Sequence, residues 1–261
     1  MSGRRLREII GAFSSVGLTS LIEKGKAAED KSTPHELRLA FEKLGPSFVK
    51  IGQILSTRSD IFPEAYVREL SKLQSNVLPL PTELVMEAIE AELTGPVSAY
   101  FSEIRPEPLA SGSVAQTHRA RLLNGKDVII KIQRPNLPEI IEEDLTLLIR
   151  LSRRNKKAFI PMVELPEVLQ QIKESLMREI DFRNEAQAMI TFAELNQSSK
   201  CIASPEVHGE FTTPRLIVED YVSGIPINHY DELIKAGYDL EDIGRKLMLS
   251  FIKQVFKDGF F

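Results

Sequence analysis

The sequence predicts an α+β fold, on three observations. Helix signals run almost without interruption through roughly the first hundred residues, a hairpin signal with β-prone flanks follows at Asn124-Gly125, and a further strand, Leu216 to Val218, comes after a second helical stretch.

Composition bounds what such a fold is for. The 261 residues are 43% hydrophobic and 27% charged, which suits a globular chain with sequence enough for one large domain or two small ones. The formal charge is -4 and no basic patch breaks the pattern, so no nucleic-acid partner is expected. One cysteine, Cys201, leaves no intramolecular disulfide and points to a reducing compartment. With four scattered histidines it also gives no zinc-ligand spacing.

At the N-terminus, Arg4, Arg5 and Arg7 precede a mildly apolar stretch through residue 26. No small-x-small cleavage site follows, so a secretory signal is rejected. Two readings stay open there, a basic amphipathic helix on an anionic membrane surface and an ordinary packed helix. No run approaches the roughly 18 apolar residues of a spanning helix.

Residues 32 to 93 read as helical hairpins. Ser32 and Thr33 are caps before Pro34, Gly45-Pro46 closes one helix and opens the next, and Tyr66, Leu70 and Leu73 line one side of another. In "PSFVKIGQILSTRSD", Phe48, Ile51 and Leu55 face a core, while Lys50 and Gln53 share a polar face with Gly52 between them. After the break at "VLPLP", a helix ends at Gly95.

The character changes after Pro106. In "DVIIKIQ", Val128, Ile130 and Ile132 alternate onto one face and Ile129, Lys131 and Gln133 onto the other. Lys131 suits a partly covered cleft, or is a solvated strand lysine whose stem lies on apolar surface. Ahead of it, Ala110, Ser111, Gly112 and Ser113 offer consecutive N–H groups that suit an anion-binding concavity. That signal is weak alone: no Gly-Lys-Ser/Thr follows and a hairpin, not a helix, comes next. Small-residue loop, hairpin and strand lysine is the order found in protein-kinase N-lobes.

Such a lobe needs a helical glutamate. The run from residue 167 to 196 reads as one long helix carrying Glu179, Asp181 and Glu185, with Asp181 and Glu185 four apart on one side. A solvated charged face is the usual explanation of such a run and, taken without its neighbours, the favoured one. Beyond it, the backbone of Asp220 to Val222 lies where a kinase hinge presents a C=O and an N–H to adenine.

Taken together, "LGPSFVKIGQILSTRSDIFP", "PLASGSVAQTHRA", "VIIKIQRP", "EIDFRNEA" and "LIVEDYVSG" resemble, in order and spacing, the UbiB family of atypical protein-kinase-like proteins, also called ABC1 or ADCK. The resemblance runs from about Ser32 to the end, and its most specific part is Lys-x-Gly-Gln, here Lys50, Gly52 and Gln53. It implies a kinase-like N-lobe at 106–219, a helical extension at 1–105 folded over the nucleotide cleft, and at 220–261 a hinge and the start of a C-lobe. It also implies ATP with Mg²⁺ as cofactors, Lys131 at the α/β-phosphates paired with Glu185, and phosphate contacts from Leu109, Ala110, Ser111, Gly112, Ser113 and Val114. Asp220 and Val222 would meet the base. Glu179 and Asp181 match the family's Glu-x-Asp motif, which faces the Lys-x-Gly-Gln helix, so Lys50 is expected to pair with one of them, with Gln53 turned to the cleft.

Function by the same resemblance is support of ubiquinone or related isoprenoid-quinone synthesis, with weak ATPase activity. Expected partners are a membrane surface, quinone-precursor lipids and quinone-biosynthesis proteins, and the expected location is cytoplasmic, peripheral to the inner membrane. The competing class is a non-catalytic lipid- or protein-binding module. Two departures matter. Gly112 stands where the family's loop usually has alanine, which leaves ATP against ADP preference open. The chain also stops at "FKDGFF", before the family's His-x-Asp loop and Mg²⁺ ligands, so it reads as an N-terminal fragment without turnover, and Phe256, Phe260 and Phe261 suit a natural end poorly.

Overall fold

The computed structural model describes residues 2–15, 32–59, 63–73, 78–154 and 165–260. The N-terminal apolar stretch past residue 15 and the terminal Phe261 lie outside the described residues. In chain order come α1 (Ser2–Ser15), α2 (Ser32–Leu44), α3 (Pro46–Leu55), α4 (Glu64–Leu70) and α5 (Thr82–Glu92). Next are β1 (Phe101–Ser111), β2 (Ala115–Leu122), β3 (Asp127–Gln133), α6 (Leu137–Arg154) and α7 (Leu165–Glu179). The chain continues with α8 (Phe182–Leu195), β4 (Leu216–Asp220), α9 (Tyr230–Lys235) and α10 (Leu240–Lys253). This is a mixed helix and sheet fold, with the four strands in the order β1-β2-β3-β4.

Two compact units divide the chain. The first comprises Met1–Ala88, Glu107–Thr117 and Ile132–Asp181, and the second Ile89–Pro106, His118–Lys131 and Phe182–Phe261.

In the first unit the apolar stripes of the helices meet in one core that includes Phe48, Leu70, Leu145 and Leu176. Phe13, Phe41 and Phe48 pack there with ring centroids 5.8 to 6.1 Å apart, a spacing at which aromatic edges and faces attract. Helix α1 is a packed helix: Ile9 and Ala12 are buried, and Arg5 reaches Asp144 at 2.7 and 2.8 Å and the Leu44 carbonyl at 2.7 Å. Ile10, on the same helix, remains exposed. Gly45 takes φ 98 between α2 and α3, with Pro46 as the first residue of α3, the proline that suits an N-terminal turn because its missing N–H would be unpaired there anyway.

Gly52 faces the neighbouring helices of this same unit. A β-carbon there would collide with the Leu73 side chain and come within 2.6 Å of the Phe41 ring. The close approach that the glycine permits is thus packing among the extension's own helices.

The long helix expected over 167 to 196 is two helices. Helix α7 ends at Glu179 and α8 begins at Phe182. Two of the backbone groups freed at the break find partners: Gln133 Nε2 donates to the Ile180 carbonyl at 2.6 Å, and the Phe182 N–H donates to the Pro214 carbonyl at 3.1 Å. Asp181 stands at the N-cap position before α8, where a short acidic side chain is favoured. Asp181 and Glu185 therefore do not share one continuous helix face.

In the second unit, Ile89, Phe101, Val128, Ile130, Phe182 and Leu216 are buried. The β2–β3 hairpin closes at Gly125 with φ 88, and Asn124 Oδ1 accepts from the Lys126 N–H at 3.0 Å, the use of Asn-Gly that a tight hairpin requires. Strand β1 begins at Phe101, earlier than the change of character at Pro106 suggested. Pro106 and Pro108 are tolerated because β1 is an edge strand, where a missing N–H breaks no ladder on the open side. Strand β4 extends through Glu219 and Asp220, and its other edge carries a short bridge from Val207 to Glu219.

Candidate functional site

Alternation along β3 sets the first part of the site. Val128, Ile130 and Ile132 are buried, which turns Ile129 and Lys131 to the opposite face. Lys131 Nζ lies 2.6 and 2.8 Å from the two carboxylate oxygens of Glu185, which sits in the first turn of α8. The ammonium also stands 4.8 Å from the centroid of the buried Phe182 ring, an attractive cation–π placement. Both partners keep contact with solvent, with side-chain exposures of 29% and 38%, so the pair holds a cation in place without sealing it away.

Glu219 adds a charge to this pair that the pattern of the sequence concealed. Burial and the neighbouring Glu185 carboxylate push its carboxyl above the ordinary value, against a smaller opposing pull from Lys131. Its signal was positional only: the first polar residue after three buried ones on β4.

The segment 220–222 is largely committed through its first two amides. The Asp220 N–H donates to the Glu206 carbonyl at 2.9 Å and the Tyr221 N–H to the Asp127 carbonyl at 3.1 Å. Among the described residues the Val222 N–H has no partner, and Val222 is exposed. Burial works against the Asp220 charge, yet hydrogen bonds from Lys126 and His208 outweigh it and hold the carboxyl below its ordinary value. Arg119 stacks on the Tyr221 ring at 4.1 Å and donates to Asp127 at 2.7 Å. Arg121 first, and then Arg119, hold Asp127 down to about 2.

In the first unit, Lys50 Nζ lies 2.5 Å from Glu179 Oε1. The Glu179 side chain is 46% exposed, so this is a surface pair in energetic terms. Gln53 Nε2 donates to the Leu73 carbonyl at 3.2 Å. In the small-residue loop, the Gly112 N–H closes the turn onto the Ala115 carbonyl at 2.8 Å. Only Gly112, Ser113 and Val114 form the turn between β1 and β2, because Leu109 and Ala110, both exposed, and half-buried Ser111 are the last residues of β1; Gly112 and Val114 are half-buried and Ser113 is buried. Arg134 and Gln116, for which the sequence suggested no role, are bonded to this loop. Among the described residues no three of His, Cys, Asp and Glu are grouped so as to hold a metal.

Comparison with known proteins adds to this geometry. A model of the ABC1 atypical kinase-like domain matches residues 72–261. A curated relative from Clostridium pasteurianum, described as an uncharacterized protein in the hydrogenase 1 5' region, is 39% identical over 258 residues, which are 98% of this chain and 48% of that protein. The chain thus spans about half the length of that relative. Among solved structures, the Rv3197–erythromycin complex from Mycobacterium tuberculosis is similar with a TM-score of 0.52 and 26% identity, over 83% of this chain and 54% of that one.

Proposed function

Because the chain belongs to the ABC1 atypical kinase-like family, we propose that it binds ATP and that the whole protein acts as an ATP-dependent kinase-like regulator of isoprenoid-quinone synthesis. The observation that carries the nucleotide reading is the two-pronged contact of Lys131 with Glu185, at 2.6 and 2.8 Å. A strand lysine oriented by a helical carboxylate is the device by which kinases hold the α- and β-phosphates.

In this reading Lys131 meets the phosphates, Glu185 orients it, and the Asp220 carbonyl and Val222 N–H meet the base edge. The commitment of the Asp220 and Tyr221 amides supports Val222 as the donor of that segment. For the loop 109–114, phosphate contact is carried over from the family resemblance and concerns that loop alone. Lys50, Gln53, Glu179 and Asp181 are assigned a regulatory part on the same ground. Mg²⁺ would enter with the nucleotide and neutralise phosphate charge. No step is assigned to it. The proposed division is a helical extension at 1–105, a nucleotide-binding lobe at 106–219 and a hinge with following helices at 220–261. The quinone role, the membrane surface and quinone-pathway partners rest on the family resemblance alone, and none of the described helices is long and apolar enough to cross a membrane.

Calorimetric titration with MgATP tests the nucleotide reading. Lys131→Met is expected to weaken binding at least about tenfold, while thermal stability changes little because the pair is solvent-accessible. Equal affinity in the variant would overturn the assignment of Lys131. For the quinone role, a gene-deletion strain is expected to regain quinone with the wild-type gene and not with the Lys131→Met allele.

A further inference from the structure

A closed circuit of hydrogen bonds ties the 110–114 segment, the end of β1 and the turn into β2, to the proline-marked segment at 78–81. Arg134 Nη2 donates to the Leu78 carbonyl at 3.0 Å and to Ser111 Oγ at 2.9 Å, and Arg134 Nε donates to the Gly112 carbonyl at 2.8 Å. The Ser111 hydroxyl in turn donates to Gln116 Oε1 at 3.3 Å, and the Leu80 N–H donates to the same Gln116 oxygen at 2.7 Å. The Arg134 N–H donates to the Val114 carbonyl at 2.9 Å. All of these residues belong to the first unit.

Two features distinguish this circuit from a routine surface contact. Gln116 is fully buried, so its oxygen must be matched, and a backbone donor from 78–81 matches it. Arg134 is held entirely by neutral oxygens: no carboxylate among the described residues pairs with it, and burial pushes its guanidinium below the ordinary value. A planar guanidinium fork used in this way fixes geometry, because its donors diverge at set angles onto three acceptors in two segments. A carbonyl and the next N–H of a trans peptide point in opposite directions. Arg134 therefore fixes the direction of the Ser113 N–H by holding the Gly112 carbonyl.

We propose that Arg134 and Gln116 are positioning residues, a clasp through which the 78–81 segment sets the posture of the 110–114 loop and so governs how that loop meets its ligand. The choice of MgATP as ligand rests on the nucleotide reading above. The clasp itself does not.

Amide exchange of the intact chain, read at Leu80, Gly112 and Arg134, tests it. Leu80→Pro removes the segment's donor without altering the loop, and Arg134→Lys keeps the charge but loses the fork. Each is expected to speed exchange at Gly112 at least about tenfold while Ile130, in the sheet, is unchanged. Each is also expected to weaken MgATP binding about threefold or more in titration. Unchanged exchange at Gly112 in both variants overturns the proposal, as does faster exchange with unaltered MgATP affinity. If the wild-type chain binds no MgATP, the nucleotide reading fails and the exchange result alone decides the clasp. Should the variants not fold, the wild-type chain in rising denaturant decides: Leu80 and Gly112 are expected to open with one common free energy, and separate openings overturn the clasp.

Discussion

Glu179 closes α7 and Glu185 stands in the first turn of α8, and each accepts a different lysine, Lys50 in the first case and Lys131 in the second. A continuous helix would have fixed the angle between the two carboxylates at a multiple of its residue rotation. Interrupted at Ile180 and Asp181, the chain assigns one carboxylate to each compact unit.

The break depends on Gln133, whose buried amide takes the Ile180 carbonyl at 2.6 Å. Gln133→Met keeps the volume and removes the donor. Leaving a buried carbonyl unmatched costs about 1–3 kcal/mol, and because the variant also removes the buried, unpartnered Gln133 Oε1, chemical denaturation is expected to show a loss towards the lower end of that range. A loss below about 0.5 kcal/mol would mean that water or another donor replaces Gln133.

Lys50 and Glu179 illustrate how exposure decides magnitude. Had the pair been buried, removing one partner would cost about 3–5 kcal/mol. With Glu179 at 46% side-chain exposure, a double-mutant cycle with Lys50→Met and Glu179→Gln is expected to give a coupling of about 0.2–1 kcal/mol, falling as salt is raised. A coupling above about 2 kcal/mol, insensitive to salt, would contradict this account.

Much of the fold is legible in the sequence because its signals are local. Asn124-Gly125 fixes a hairpin through its own backbone preferences, and the alternation of Val128, Ile130 and Ile132 fixes which face Lys131 occupies. Gly45-Pro46 marks a helix boundary in the same way. What escapes is decided by distant partners. No proline or glycine marks the break at Ile180; it is stabilised by Gln133 and by the Pro214 carbonyl, far along the chain. The start of β1 at Phe101 is hidden because Pro106 and Pro108 argue against a strand unless that strand is known to be an edge. Glu219 is hidden because three buried residues in a row, Leu216 to Val218, erase the alternation that would have assigned it a face. Arg134 was visible in "KIQRP", but which oxygens it holds is a property of the packed chain.

Gly52 makes a prediction whose sign opposes helix propensity. Alanine would gain roughly 1 kcal/mol of propensity in the interior of α3. It would also place a β-carbon against the buried Leu73 and Phe41 side chains, at 2.6 Å from the latter. Overpacking of this kind costs about 1–3 kcal/mol, so Gly52→Ala is expected to lower the melting temperature despite the propensity gain. A rise would show that Leu73 and Phe41 move aside without penalty.

Glu219 gives the chain a pH dependence opposite to that of its ion-paired carboxylates. Burial first, and the Glu185 charge second, hold its carboxyl above the ordinary value, with Lys131 opposing them. Between the ordinary value and the raised one, the folded chain binds a proton that the unfolded chain has released. Stability from this group is therefore full below that window and is lost as pH rises through it. Glu219→Gln does not titrate. Its melting temperature relative to wild type is expected to climb as pH is raised through the window that opens above the ordinary glutamate value, and then to level off. In the same series Glu185→Gln serves as a second probe: removing the neighbouring charge relieves Glu219, so the pH dependence of the wild-type chain is expected to shrink in that background. A difference between wild type and Glu219→Gln that stays constant with pH, or falls as pH rises, would show that Glu219 is ordinarily solvated and has no charge coupling to the Lys131–Glu185 pair.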